Sequence, residues 1–120
     1  MNCCPLSACD DDGPSASWVS KPRAKKEWRC AECRETIPVG TVHERIAGVW
    51  DGTFSSYRTC LSCVEIRNHF ACEGYIIGQV WSDIEENFFP DMKAGGPCME
   101  GLSPEAKGRL FELRMKWLMD

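Results

Sequence analysis

The chain has 120 residues, of which 43% are hydrophobic and 27% charged, and its formal net charge is −4. This length fits one small domain with a thin core, and the composition excludes wholesale disorder and collagen-like or low-complexity classes. No apolar run approaches the roughly 20 residues that a membrane-spanning helix needs. The first residues lack the basic start and apolar core of a signal peptide, so we expect a cytoplasmic protein without a membrane partner.

Cysteine is the unusual component, with nine in the chain. In a reducing cytoplasm disulfides are rare, and clustered thiols favour metal binding. An odd number also leaves at least one cysteine unpaired in any scheme made only of disulfides. Metal binding is therefore the leading interpretation.

The N-terminal third divides by charge. Residues 1–20 combine an acidic run with glycine, proline and serines, show no helical or strand period, and predict an irregular arm. Segment 21–29 is basic, and we interpret it as a linker. Its basic residues are Lys21, Arg23, Lys25, Lys26 and Arg29.

A β-hairpin is predicted next. Residues 41–47 alternate and contain β-branched side chains, which is typical of a strand. Asp51-Gly52 is a favoured hairpin turn between aromatic flanks, so a second strand should return to Cys60.

Helical spacing follows Cys60. One stripe holds Cys63, Ile66 and Phe70, while the polar side chains facing away are Glu65, Arg67 and Asn68. A second amphipathic helix, stopped by Pro90, is indicated by Ile77, Val80, Trp81, Ile84 and Phe88. Ser103 as N-cap and Pro104 at the first helical position open a C-terminal helix.

Two C-x-x-C pairs, Cys30 with Cys33 and Cys60 with Cys63, carry the chemistry. Each pair directs two sulfurs to one side of a tight knuckle, and four thiolates complete a tetrahedral shell around one Zn²⁺. Such a shell has no vacant position for water, whereas hydrolytic zinc needs one. The spacing predicts a structural zinc site.

The order of knuckle, hairpin and second C-x-x-C at a helix start resembles the treble-clef zinc finger over about residues 28–71. The resemblance implies a small zinc-stabilised α+β fold with additional C-terminal helices, and says little about function. We expect an arm at 1–20, a finger at 21–71 and a helical extension at 72–120, packed on the finger within one domain.

A second zinc site is an open alternative. Its candidate ligands are Cys3, Cys4, Cys9, Cys72 and Cys98. Such a site would link the N-terminal arm to later segments and stabilise a thin core. Their spacings match no standard knuckle, and free thiols are the other interpretation.

Segments 28–37, 48–52 and 58–63 resemble small zinc-finger proteins of bacteriophages and prophages. That resemblance implies a phage accessory protein acting in the cytoplasm of a bacterial host, and brings no activity with it. We expect non-catalytic binding of a host macromolecule, most simply a protein, that inhibits a bacterial enzyme or defence complex. Candidate contacts are the hairpin aromatics and an acidic segment, namely Trp50, Phe54, Tyr57, Asp83, Glu85 and Glu86.

Two other functions stand beside this one. A nucleic-acid-binding finger would use segment 21–29, although the acidic total opposes it. A His-Asn-His-like nuclease would need His43, Asn68 and His69, but each element offers one histidine and no Asp-His pair opens the hairpin. The sequence leaves the oligomeric state open.

Overall fold

The computed structural model describes residues 5–6, 16–71, 74–91 and 97–119 as a small α+β fold. The strands are β1 (Ala16–Ser20), β2 (Trp28–Arg29), β3 (Thr36–Ile37), β4 (His43–Trp50) and β5 (Thr53–Cys60). The helices are α1 (Leu61–Phe70), α2 (Val80–Asn87) and α3 (Pro104–Met119), with short 3-10 helices at Phe89–Asp91 and Pro97–Met99. None of the helices within these residues has the length and apolar character needed to cross a bilayer.

Two antiparallel sheets organise the N-terminal half. The larger sheet has the strand order β1-β4-β5, and β2 pairs with β3 in a two-stranded ribbon. The β4-β5 hairpin turns at Asp51 and Gly52, whose φ angles are 50° and 79°. Two consecutive left-handed residues match the twist of the flanking strands, which confirms the predicted hairpin.

The prediction of an irregular arm is wrong for its last five residues. Residues 16–20 form β1, which pairs with β4 from Ala16 opposite Val49 to Ser20 opposite Arg45. Leu6 lies in the core with 4% exposure. Strand β1 escaped detection because its serines hide the alternation and its hydrogen bonds come from β4, a partner distant in sequence.

The three helices confirm the main helical predictions. In α1, Cys63, Ile66 and Phe70 are each 0% exposed. Helix α2 is shorter than predicted, because it runs only from Val80 to Asn87 and leaves out Ile77 and Phe88, whereas α3 begins at Pro104 as predicted. One apolar cluster contains residues of all three helices together with Cys30 and Ile37 of the first knuckle, so these elements share a core.

Arg67 was expected to face solvent and does not. Its side chain is buried and forms a bidentate pair with Glu44 of β4, with N–O distances of 2.6 and 2.8 Å. The guanidinium also lies over the ring of Tyr75, 4.6 Å from its centroid. Helical spacing misplaced Arg67 because the compensating carboxylate comes from a strand.

Candidate metal centre

Four cysteine sulfurs converge where the two sheets meet α1. Cys30 and Cys33 belong to the turn between β2 and β3, Cys60 ends β5, and Cys63 lies in the first turn of α1. All four sulfurs lie within 4.8 Å of one another, and those of Cys33 and Cys60 are 3.9 Å apart. A tetrahedral ion with metal–sulfur bonds of about 2.3 Å separates its sulfurs by about 3.8 Å. The cluster therefore fits a tetrahedral metal ion.

The first knuckle is closed by its own backbone. The Cys30 amide donates to the Glu35 carbonyl at 2.9 Å, and the Arg34 amide donates to the Cys30 carbonyl at 3.0 Å. Arg34 adopts a φ of 65°, a left-handed conformation that reverses the chain after Cys33. The Arg29 guanidinium donates to the Arg34 carbonyl at 2.8 Å and supports this unusual backbone.

The second knuckle begins a helix. Cys60 is the N-cap residue of α1, and its side chain makes no capping hydrogen bond. Its sulfur instead belongs to the cluster. The partial positive charge at a helix N-terminus favours thiolates, so the start of α1 suits two metal ligands.

Two N–H groups donate to the sulfurs. The Cys60 amide donates to Cys30 Sγ at 3.4 Å, and the Trp81 indole Nε1 donates to Cys63 Sγ at 3.3 Å. Such donors stabilise ionised sulfur and orient it toward a metal. The helical stripe predicted that Trp81 is buried, but nothing in the sequence indicated its contact with a ligand.

The thiols titrate as a group. Hydrogen bonds from Cys30, Cys60 and Cys63 lower the pKa of Cys33. The hydrogen bond with Cys33 raises the pKa of Cys30. Hydrogen bonds with Cys60 and Cys63 lower that pKa, and the net result is a Cys30 pKa of about 6. Hydrogen bonding to Cys30 and Cys33 raises the pKa of both Cys60 and Cys63. Four thiolates within 4.8 Å of one another repel each other strongly, and a cation among them would offset this repulsion.

Arg109 of α3 supplies positive charge beside the cluster. It pairs with Glu35 at 2.9 Å. Burial lowers the pKa of the Arg109 guanidinium. Its hydrogen bonds to Glu35 and Cys33 and its electrostatic attraction to these two groups outweigh burial and raise that pKa. Arg109 therefore links the C-terminal helix to the first knuckle and offsets part of the negative charge of the thiolates.

Glu32, inside the first C-x-x-C, links the knuckle to α2. Its carboxylate accepts hydrogen bonds from the Gly78 amide at 2.9 Å and the Val80 amide at 3.2 Å. Burial raises the pKa of Glu32 despite these bonds. Gln79, the N-cap of α2, provides no side-chain cap, so Glu32 performs that role from a distant segment.

The candidate second zinc site stays a prediction. Four of its cysteines, Cys3, Cys4, Cys9 and Cys72, lie outside the described residues. Cys98 is 4% exposed and disulfide-bonded, a form in which its sulfur offers no thiolate. Among the described residues, only the four-cysteine cluster brings three or more potential ligands together.

The two histidines are engaged in structural hydrogen bonds. His43 is 0% exposed, and its Nε2 lies 2.9 Å from Arg58 Nη1. Because arginine only donates, Nε2 accepts, and Nδ1 donates to the Thr41 carbonyl at 3.2 Å. His69 Nε2 lies 2.6 Å from the Cys98 carbonyl oxygen.

The candidate partner-binding residues do not form one surface. Phe54 is 60% exposed. Trp50 and Tyr57 lie on the opposite face of the sheet and pack edge to face, with centroids 5.4 Å apart. The acidic candidates belong to α2, where Asp83 is half-buried and Glu85 and Glu86 are exposed.

The basic segment 21–29 is folded onto its neighbours. The backbone of Arg23 forms an isolated antiparallel β-bridge with Val42, just before β4, and its guanidinium donates to the Gly40 carbonyl at 3.2 Å. Lys26 lies over the Trp28 ring at 4.3 Å. All five basic side chains of the segment are nevertheless exposed, so its positive charge stays accessible to solvent.

No protein-family model, curated protein or solved structure matches this chain.

Proposed function

We propose that this chain is a non-catalytic zinc-binding domain whose metal holds its knuckles, hairpin and helices together. The observation that carries the proposal is the convergence of four cysteine sulfurs within 4.8 Å. Thiolate ligands in a tetrahedral arrangement suit zinc among the common biological cations. When bound, the ion supplies folding free energy.

The element order supports a treble-clef arrangement. A knuckle between β2 and β3 precedes the β4-β5 hairpin, and the second pair of ligands begins α1. The ion would be held by Cys30, Cys33, Cys60 and Cys63. Glu32 and Arg109 would then attach α2 and α3 to the finger.

A structural role agrees with the chemistry of the site. Four thiolates leave no coordination position for water or substrate. Both nitrogens of His43 hold hydrogen bonds within the fold, which disfavours the histidine base that a His-Asn-His-like nuclease requires.

We therefore assign the domain a binding role. The hairpin carries exposed apolar side chains, including Phe54 at 60% and Tyr57 at 36% exposure, and exposed aromatics are common at binding surfaces. The phage-type origin, the host protein partner and the bacterial cytoplasm stay predictions that rest on sequence resemblance.

Metal analysis of the purified full chain tests the zinc proposal. We expect native mass spectrometry to find bound zinc that is released on denaturation. Cys60→Ser should lose that zinc and its cooperative melting, whereas Ser62→Ala, between the two ligands of the same knuckle, should keep both. A wild-type protein that folds without metal, or a Cys60→Ser variant with full zinc content, would overturn the proposal.

A further inference from the structure

One face of the three-stranded sheet combines exposed aromatic and basic side chains. Directly paired residues of adjacent strands share a face, and the pairing of β1, β4 and β5 defines this one. The aromatic-basic face comprises Ala16, Trp18, Ser20, Arg45, Ala47, Val49, Phe54, Ser56 and Arg58, and it ends at the buried His43 and at Cys60 of the metal centre. It contains no aspartate or glutamate.

Two aromatic rings on this face are open to solvent. Trp18 of β1 and Phe54 of β5 are each 60% exposed. Within the described part of the chain, neither ring stacks on another aromatic ring or on a cation. Both flat surfaces are therefore free to receive a planar group.

Two arginines on the same face oppose each other. Arg45 of β4 pairs in register with Arg58 of β5, and like charges directly opposite in a sheet are destabilising. Neither forms an ion pair with a carboxylate among the described residues. A bound anion would relieve this repulsion.

Further positive charge borders the face. Lys26 lies over the Trp28 ring at 4.3 Å, and the guanidinium of Arg58, a member of the face, lies over the same ring at 3.8 Å. The acidic residues of α2 belong to a different element. The aromatic-basic face is therefore positively charged, although the whole chain has a net charge of −4.

We propose that the aromatic-basic face binds single-stranded nucleic acid, with phosphates at Arg45 and Arg58 and bases stacked on Trp18 and Phe54. The proposal rests on the binding role assigned above and names the partner class. Stacking on aromatic rings with cationic contacts to the backbone is how proteins bind single strands without reading sequence. A duplex keeps its bases stacked on each other and would leave both rings unused.

Fluorescence anisotropy of a fluorescein-labelled oligothymidine with the full-length, zinc-loaded protein tests this assignment. Phe54→Ala and Trp18→Ala should each weaken binding roughly 5- to 100-fold. Arg45→Gln should weaken binding and also reduce the slope of log K against log salt by about 0.7, the value for one phosphate contact to a single strand. A duplex of equal length should bind more weakly.

Matched controls come from the same fold. Val19→Ala changes the residue next to Trp18 on the other face of β1 and should leave the affinity unchanged. Lys116→Gln removes an exposed charge from α3 and should not change the salt slope. Absence of binding at low salt, equal effects of Val19→Ala and Phe54→Ala, or tighter binding of polyglutamate than of the oligonucleotide would overturn the proposal.

Zinc content, measured on each sample, separates the two proposals. A protein that holds zinc but ignores the oligonucleotide refutes the nucleic-acid partner and leaves the zinc assignment intact. A protein that lacks zinc refutes the proposed zinc domain, whatever its affinity for the oligonucleotide.

Discussion

Replacement of Trp81 by phenylalanine isolates the indole contact with the metal centre. In the structure Nε1 donates to Cys63 Sγ at 3.3 Å, and phenylalanine keeps an aromatic ring but removes this donor. Hydrogen bonds to charged groups contribute about 1.5–3 kcal/mol, and sulfur is a weak acceptor, so the low end of this range applies. A loss of about 1.4 kcal/mol corresponds to tenfold weaker zinc binding.

The assay is zinc competition against a chromophoric chelator at neutral pH, with wild type and Trp81→Phe compared at equal protein concentration. We expect the variant to keep its zinc stoichiometry and to lose about tenfold in affinity. Metal sites that lose a hydrogen-bonding partner of a ligand typically lose 10- to 100-fold in affinity, and the tenfold loss worked from the hydrogen bond lies at the lower end of that range.

Trp117→Phe is the matched control. Trp117 packs against the same core, with its ring centroid 5.5 Å from that of Phe89. Among the described residues it donates no hydrogen bond to a cysteine ligand. Its replacement should lower the melting temperature without changing zinc affinity. Equal zinc affinities for Trp81→Phe and wild type, or equal losses in both variants, would refute the role assigned to the indole.

Three further outcomes are expected. Chelation of zinc should abolish cooperative melting of the wild type, as followed by circular dichroism, and zinc should restore it; melting that is unchanged by chelator contradicts a structural metal. Glu44→Gln or Arg67→Met alone should cost about 3–5 kcal/mol in urea unfolding, because each leaves a buried charge unpaired, whereas the double variant should cost less than either. Hydrogen bonds from the Ser103 amide and hydroxyl lower the pKa of Glu65, so its contribution to stability is complete above the ordinary glutamate pKa of about 4.3 and is lost as pH falls through the lowered value. Glu65→Gln should therefore be less stable than wild type by about 1 kcal/mol at pH 7 in excess zinc. A difference in unfolding free energy between the two proteins that increases as the pH falls toward 4 would contradict this prediction.

Local sequence signals predicted the ligands and most elements. The two C-x-x-C pairs identified Cys30, Cys33, Cys60 and Cys63 because a knuckle needs only two cysteines at short spacing. The turn at Asp51-Gly52 and the helix start at Ser103 were also predictable, since each depends on conformational preferences of a few adjacent residues.

The surroundings of the centre were not predictable in the same way. Trp81 and Arg109 reach the knuckles from segments far away in the chain, and Glu32 reaches from the first knuckle to the start of α2. Helical spacing indicates only that a side chain is buried or exposed, and it does not indicate which distant group meets it. For the same reason the spacing placed Arg67 on the solvent side, away from Glu44.

The sequence by itself determined a four-cysteine cluster, a hairpin and the principal helices, because these follow from spacing and backbone preference within short segments. Only the tertiary structure decided that Ala16–Ser20 joins the sheet as β1. It also decided that Trp18 and Phe54 share a face with Arg45 and Arg58. Strand register controls which residues share a face, and register is established by pairing between distant segments.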